Sequence, residues 1–153
     1  ETRAQGYETR LQEVRQRRLS NPRPKVYFEE WDDPLITGIA WVSELIEIAG
    51  GVDVFSDRAR AHAASGRILE PRDVIDAAPD VILASWCGKK ARPERIAARS
   101  GWSNIPAVRA GPIHEIKLPL ILQPGPAALT DGLDAILAAL DVAPYLASGG
   151  PPE

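Results

Sequence analysis

Apolar positions recur along the chain in short, separate patterns, and each pattern predicts an element. Ala4, Tyr7, Leu11, Val14 and Arg18 fall at alternating spacings of three and four. That predicts a helix over 1–19 with one narrow apolar stripe, lying along a surface. Ser20-Asn21-Pro22-Arg23-Pro24 ends it, since prolines deny the backbone further helical hydrogen bonds. Val26, Tyr27 and Phe28 form a run of β-formers, followed by an acidic loop from Glu29 to Pro34. Ile39, Val42, Leu45, Ile46 and Ala49 mark a second amphipathic helix, stopped by Gly50-Gly51. Residues 52–67 read as irregular. Pro71 opens a short helix with Val74, Ile75 and Ala78 inward, and Pro79-Asp80 turns the chain into Val81–Ala84. That continuous apolar run predicts a strand covered on both faces, as in a parallel sheet. Pro93 begins a helix through Ile96 and Ala97 that closes at Gly101. Ala107-Val108 and Ile113–Ile116 read as strands around the turn Gly111-Pro112, and Lys117–Pro126 as a proline-broken loop. Leu129, Leu133, Ile136, Leu137 and Leu140 form a last helix, and 144–153 a tail, Gly/Pro-rich from Ser148 and expected to be disordered.

A leading helix followed by repeated strand–helix units predicts an α/β fold: a three-layer α/β/α sandwich with a mostly parallel sheet. A chain of 153 residues suits one domain with its own core. The net charge of −3 gives nothing that suggests nucleic acid or an anionic membrane as a partner. No apolar run approaches the roughly 20 residues of a membrane-spanning helix. The single cysteine, Cys87, excludes an internal disulfide. The chain opens on Glu1, contains no Met and starts in mid-helix, so it is expected to be part of a longer protein.

In open α/β sheets, ligands bind at the carboxyl ends of the strands. Three stretches qualify: Glu29–Pro34, Ser85–Arg92 and Lys117–Gln123 with Pro124. The first carries Glu29, Glu30, Trp31, Asp32 and Asp33, the second Trp86, Cys87, Lys89, Lys90 and Arg92, the third Lys117 and Gln123. Two loop tryptophans, each a flat apolar area with one donor, suit a large, flat, partly polar ligand better than a small ion. Each residue also has a plainer role open to it: Trp31 and Trp86 as caps on the sheet, the acids and lysines as solvated charges, and Cys87 as a small packing residue. Trp102 and Trp41 read as packing.

Catalytic patterns are absent from the sequence. The histidines, His62 and His114, lie in different segments. No metal-ligand spacing, phosphate-binding glycine loop or nucleophile elbow occurs. His114-Glu115 and Cys87 are the only residues on which an enzyme reading could rest, so no catalytic or metal site and no cofactor is assigned.

Four segments in order carry a family resemblance. "PKVYFEEWDDPLITGIAWVSELIEIAGGVDVF", with Gly38, Gly50-Gly51 and Phe55, resembles the start of the second lobe of class III periplasmic binding proteins. "EPRDVIDAAPDVILASW" resembles their helix–Pro-Asp–strand unit, "WSNIPAVRAGPIHEI" the segment before the final strand, and "QPGPAALTDGLDAILAAL" the closing helix. The resemblance spans Arg23–Leu140. It implies that 1–20 is the end of the long helix bridging two lobes and that 23–143 is the C-terminal ligand-binding lobe. The implied role is non-enzymatic: to hold a metal-chelate ligand against a missing N-terminal lobe and deliver it to an ABC transporter permease, either in the periplasm or outside the cytoplasm and anchored to the membrane. Trp-Asp-Asp-Pro-Leu looks more like cobalamin binders than ferric-siderophore binders, with Glu30, Trp31, Asp32, Asp33, Trp86, Cys87, Lys89, Lys117 and Gln123 as contacts. Where family members place the acid that docks on the permease, this chain has Arg72, so the flanking Glu70 and Asp73 are the candidates. Two readings of other classes stay open: a small α/β enzyme, and an interaction module whose unpaired lobe face drives dimerisation.

Overall fold

In a computed structural model, residues 23–61, 63–86, 89–111, 113–116 and 132–141 are described. The predicted first helix, the 117–126 loop, the tail, Cys87, Lys117 and Gln123 lie outside these residues.

The sheet is built on β1 (Lys25–Asp32), with β5 (Val81–Ala84) parallel on one side and β6 (Ile113–Glu115) parallel beyond it. On its other side β1 pairs first with β3 (Val52–Asp53), in parallel, and later with β2 (Leu35–Thr37), antiparallel. β4 (Ile68–Leu69) extends β2 antiparallel. The parallel pairs match the expected strand–helix repeats, and the antiparallel end comes from a hairpin that was read as a loop.

Side-chain alternation divides the central strands between two cores. Val26, Phe28, Val81 and Leu83 face α1 (Ala40–Ile48) and α6 (Leu133–Asp141), meeting Val42, Leu45, Ile46, Leu133, Ile136 and Leu140. Tyr27, Ile82 and Ala84 face the other way, with Val74 of α3 (Pro71–Ala77), Ile96 of α4 (Pro93–Ala97) and Ala107 of α5 (Pro106–Ala110). Helices on both faces make the three layers. The unbroken apolar run 81–84 is therefore buried at every position, as a strand covered on both sides must be.

Local signals explain the element ends. Gly50 takes φ 102° just after α1, a conformation that costs glycine nothing. Gly51 then lets the chain pass close to β1, for a Cβ there would stand 2.8 Å from Val26 Cγ2. At the Pro79-Asp80 turn, the Asp80 amide donates to the Lys25 carbonyl (2.7 Å), and the Lys25 amide donates to Asp80 Oδ2 (2.9 Å), tying the start of β5 to that of β1.

Three expectations are corrected. The stretch from Glu29 is not a loop: β1 runs on to Asp32 and turns through Asp33-Pro34 into β2, because pairing with Leu35–Thr37 satisfies its backbone. Residues 52–67 are not irregular: they hold β3, a short helix α2 (Ser56–Ala59) and a 3-10 turn over Ala64–Arg67. Ala107-Val108 lies in α5, not in a strand. Pro106 at the first helical position and Gly111 at φ 98° after the last one outweigh the β preference of a two-residue run.

Candidate functional site

The strands of the parallel core end side by side, with Glu29, Ala84 and Glu115 in register. β1 alone continues, and it does so through a bulge: Glu29 pairs with Thr37 but Trp31 with Ile36, two steps on β1 for one on β2. Bulges of this kind re-aim side chains at the end of a sheet. Here the bulged stretch delivers Glu30, Trp31 and Asp32 to the strand-end surface.

Glu29, at the last paired position, is fully buried. Its carboxylate takes Tyr27 Oη–H at 2.9 Å and Trp86 Nε1–H at 2.8 Å, and Arg99 grips it with both terminal nitrogens at 2.7 and 2.8 Å. The Arg99 guanidinium lies 4.6 Å from the ring of Trp102, which is itself completely buried. Burial, and then the neighbouring Glu29 charge, hold the Tyr27 hydroxyl well above its ordinary pKa. For Arg99, burial works to lower the pKa, but hydrogen bonding and attraction to Glu29 outweigh it and the net shift is upward. Both shifts belong to one hydrogen-bonded unit of Glu29, Arg99 and Tyr27.

Above this unit stands Lys89. Its Nζ lies 4.7 Å from the centre of the Trp31 ring and 5.1 Å from that of Trp86, and it straddles the Asp32 carboxylate at 3.0 and 3.1 Å. Trp31 is half-buried and donates its indole N–H to the Asp33 carbonyl at 3.1 Å. Glu30 pairs with Arg67 at 2.7 Å, and the buried Arg67 also donates to the Thr37 and Ala61 carbonyls.

Of the candidates read from the sequence, Glu30, Trp31, Asp32, Asp33, Trp86 and Lys89 therefore come together, while Cys87, Lys117 and Gln123 lie outside the described residues. Trp86 takes the plainer of its two roles, a cap under the surface: it is 2% exposed, packed in the core on that side, with its N–H donated to Glu29. Glu70 and Asp73 stand apart, at the start of α3, where Asp73 Oδ2 accepts the Glu70 amide at 2.9 Å. Glu29 was counted among the loop acids, and Arg99 and Arg67 were not singled out. An acid at an inward position right after an apolar strand run, Tyr27-x-Glu29, was the available signal for a buried pair. The two arginines lie 70 and 37 residues from their partners and gave none.

His114 and Glu115 do not form an acid–base pair. Neighbouring strand residues point to opposite faces, and Glu115 Oε2 accepts the Ala91 amide at 3.0 Å. His114 is half-buried, its Nε2 has no hydrogen-bond partner, and burial lowers its pKa. Among the described residues no group of three or more His, Cys, Asp or Glu is placed to hold a metal ion. No helix among them is long and apolar enough to cross a membrane. Ile68 is the one large apolar side chain exposed among them. A separate open groove of about 270 Å³ is lined by Ala40, Ser43, Glu44, Glu47, Ser56, Ala59 and Arg60 and shares no residue with the strand-end cluster.

The sequence profile described as periplasmic binding protein matches residues 1–119. No curated protein sequence matches the chain. Among solved structures, the chain is similar to the periplasmic vitamin B12 binding protein BtuF of Vibrio cholerae: TM-score 0.67 and 23% identity, over 93% of this chain and 53% of that one. It is similar to the periplasmic heme-binding protein RhuT from Roseiflexus sp. RS-1: TM-score 0.62 and 28% identity, over 87% and 53%. It is also similar to an ABC-type Fe3+-hydroxamate transport system protein from Saccharomonospora viridis: TM-score 0.67 and 19% identity, over 88% and 47%. The chain thus spans about half the length of each.

Proposed function

Since the chain belongs to the periplasmic binding protein family, we propose that it is the C-terminal lobe of a two-lobed substrate-binding component of an ABC importer, taking cobalamin or a related corrinoid against the strand-end surface. Members of the family are binding proteins for transport and not enzymes. The protein acts in the periplasm, or outside the cytoplasm on a membrane anchor, and hands its ligand to a permease.

One observation carries the choice of ligand: three of the acids around Trp31 are already matched inside the lobe. Glu29 is paired with Arg99, Glu30 with Arg67 and Asp32 with Lys89. A large ligand without net charge finds indole area and rim dipoles there. An anionic ferric catecholate needs free guanidiniums, and both arginines of this cluster are engaged. In the proposed complex Glu30, Trp31, Asp32, Asp33 and Lys89 form the described part of the contact, Trp86 supports it from below, and Cys87, Lys117 and Gln123 complete it. Glu70, exposed at the start of α3, and Asp73 beside it are the proposed contacts with the permease.

The test is a titration of the two-lobed protein with cyanocobalamin, followed by tryptophan fluorescence. Saturable quenching at micromolar ligand that weakens in Trp31→Ala is expected. No quenching overturns the corrinoid assignment, and quenching by a ferric hydroxamate in its place moves the assignment to siderophores.

A further inference from the structure

Glu29 is fully buried, so no ligand can touch it. A carboxylate has room for about four hydrogen bonds, and Glu29 has four: from Tyr27, from Trp86 and two from Arg99. Its own orientation is thereby fixed. Arg99 is fixed in turn, since its guanidinium is held at the carboxylate by two parallel bonds and lies against Trp102.

What this rigid group holds is Trp86. An indole has a single donor, and the torsion that rotates the ring is broad. The 2.8 Å bond from Nε1 to Glu29 Oε2 removes that freedom. The face of the fixed ring is where Lys89 Nζ rests, and the same ammonium lies against Trp31 and Asp32. Trp31 and Asp32 belong to the stretch of β1 beyond its pairing with β5. The contacts thus run in one line from the buried pair to the strand tip: Arg99, Glu29, Trp86, Lys89, then Trp31 and Asp32.

We infer that Glu29 is a positioning residue: through Trp86 it sets where Lys89 lies, and through Lys89 it sets the ring of Trp31 at the strand tip. That this tip faces the ligand rests on the function proposed above. The positioning itself does not. The competing account is that Glu29 and Arg99 only stabilise the fold, and the two accounts part at Lys89.

The experiment reads Lys89 directly in the two-lobed protein. Lysines are reductively methylated with 13C, which keeps their charge, and the Lys89 signal is assigned by its loss in Lys89→Arg. Two indole rings beside this ammonium shift its methyl resonance upfield. The double variant Glu29→Leu/Arg99→Met removes the pair without stranding a charge. It is expected to melt cooperatively while the Lys89 resonance returns toward the position of an exposed lysine. Leu83→Ala, a destabilising change in the opposite core, is expected to leave the resonance in place. An unmoved Lys89 signal in the folded double variant overturns the positioning role, as does an equal movement in Leu83→Ala. If the double variant does not melt cooperatively, Arg99→Lys, which keeps the charge and removes the fork, is read the same way: a smaller displacement supports the inference and none overturns it. Cyanocobalamin titration of the same samples separates the two proposals. Binding weakened by about tenfold in the double variant, the scale on which outer partners of a site act, joins them. A wild-type protein that ignores cyanocobalamin overturns the ligand and leaves the Lys89 signal to judge Glu29.

Discussion

The two faces of the sheet are closed on different terms. Under α1 and α6 the central strands present Val26, Phe28, Val81 and Leu83 to aliphatic side chains, and the contact is one of shape and area. On the face under α3, α4 and α5 the same strands present Tyr27, Ile82 and Ala84 to two buried tryptophans, and at its carboxyl end a carboxylate–guanidinium pair is sealed in. Burial of apolar area is non-directional. It stabilises the lobe but leaves ring planes free to choose among packings. A buried, saturated ion pair contributes little net stability, yet it imposes direction. The lobe thus uses one face to hold together and the other to aim.

Substitutions can break this contrast, and the largest effect is expected at the ion pair. Arg99→Ala leaves the Glu29 carboxylate buried and uncompensated and should cost about 3–5 kcal/mol, read as a fall in the denaturant midpoint. Most of that loss should return in Glu29→Leu/Arg99→Met, and a double variant no more stable than Arg99→Ala would show that the pair acts by more than its charges. On the opposite face Leu83→Ala should cost about 2–5 kcal/mol through lost transfer energy and a cavity, with no partner substitution able to restore it. Gly51→Ala tests the same face from its edge: its Cβ would meet Val26 Cγ2 at 2.8 Å, and overpacking of this kind costs about 1–3 kcal/mol. A neutral result there would mean that α1 can shift on the sheet.

The smallest effects are expected from protons, and they have opposite signs. Burial raises the Asp53 pKa, while hydrogen bonds from Ser43 and the Phe55 amide oppose it. The native state then holds the proton longer than the unfolded chain, so stability falls as pH rises from the usual carboxylate range to the folded value. Burial lowers the His114 pKa, so its contribution is complete above the unfolded value of about 6.5 and is lost as pH falls toward the folded one. Chemical denaturation across pH should show the first trend disappear in Asp53→Asn and the second in His114→Gln.

Elements whose signal is local were legible in the sequence. Val81–Ala84 announces a doubly covered strand, Pro71 and Pro93 mark helix starts, and Gly50 marks an end. The hairpin at Asp33-Pro34 was not, because an acidic stretch reads as solvated unless its partners are known. Those partners, Arg67 and Arg99, lie far along the chain, and no spacing rule connects a strand acid to an arginine 70 residues away. The two roles open to Trp86, ligand face or cap on the sheet, could not be told apart for the same reason: a loop tryptophan gives no sign of the distant partner of its N–H. The site was therefore half legible. Its location follows from strand direction, whereas its internal pairing is a product of tertiary contact.

β1 has eight residues and β5 four, paired only from Val26 to Glu29. The last part of β1 is thus one arm of a hairpin that reaches beyond β5, rooted in the sheet and carrying Trp31 next to the turn. An arm of this kind is steadied by its side braces. These are β2 on one edge and Arg67, which clamps Glu30 to the Thr37 and Ala61 carbonyls. Changing a brace alters how far the tip gives while the root stays as it is. A lobe built on this plan can change the set of its tip while neither core is repacked.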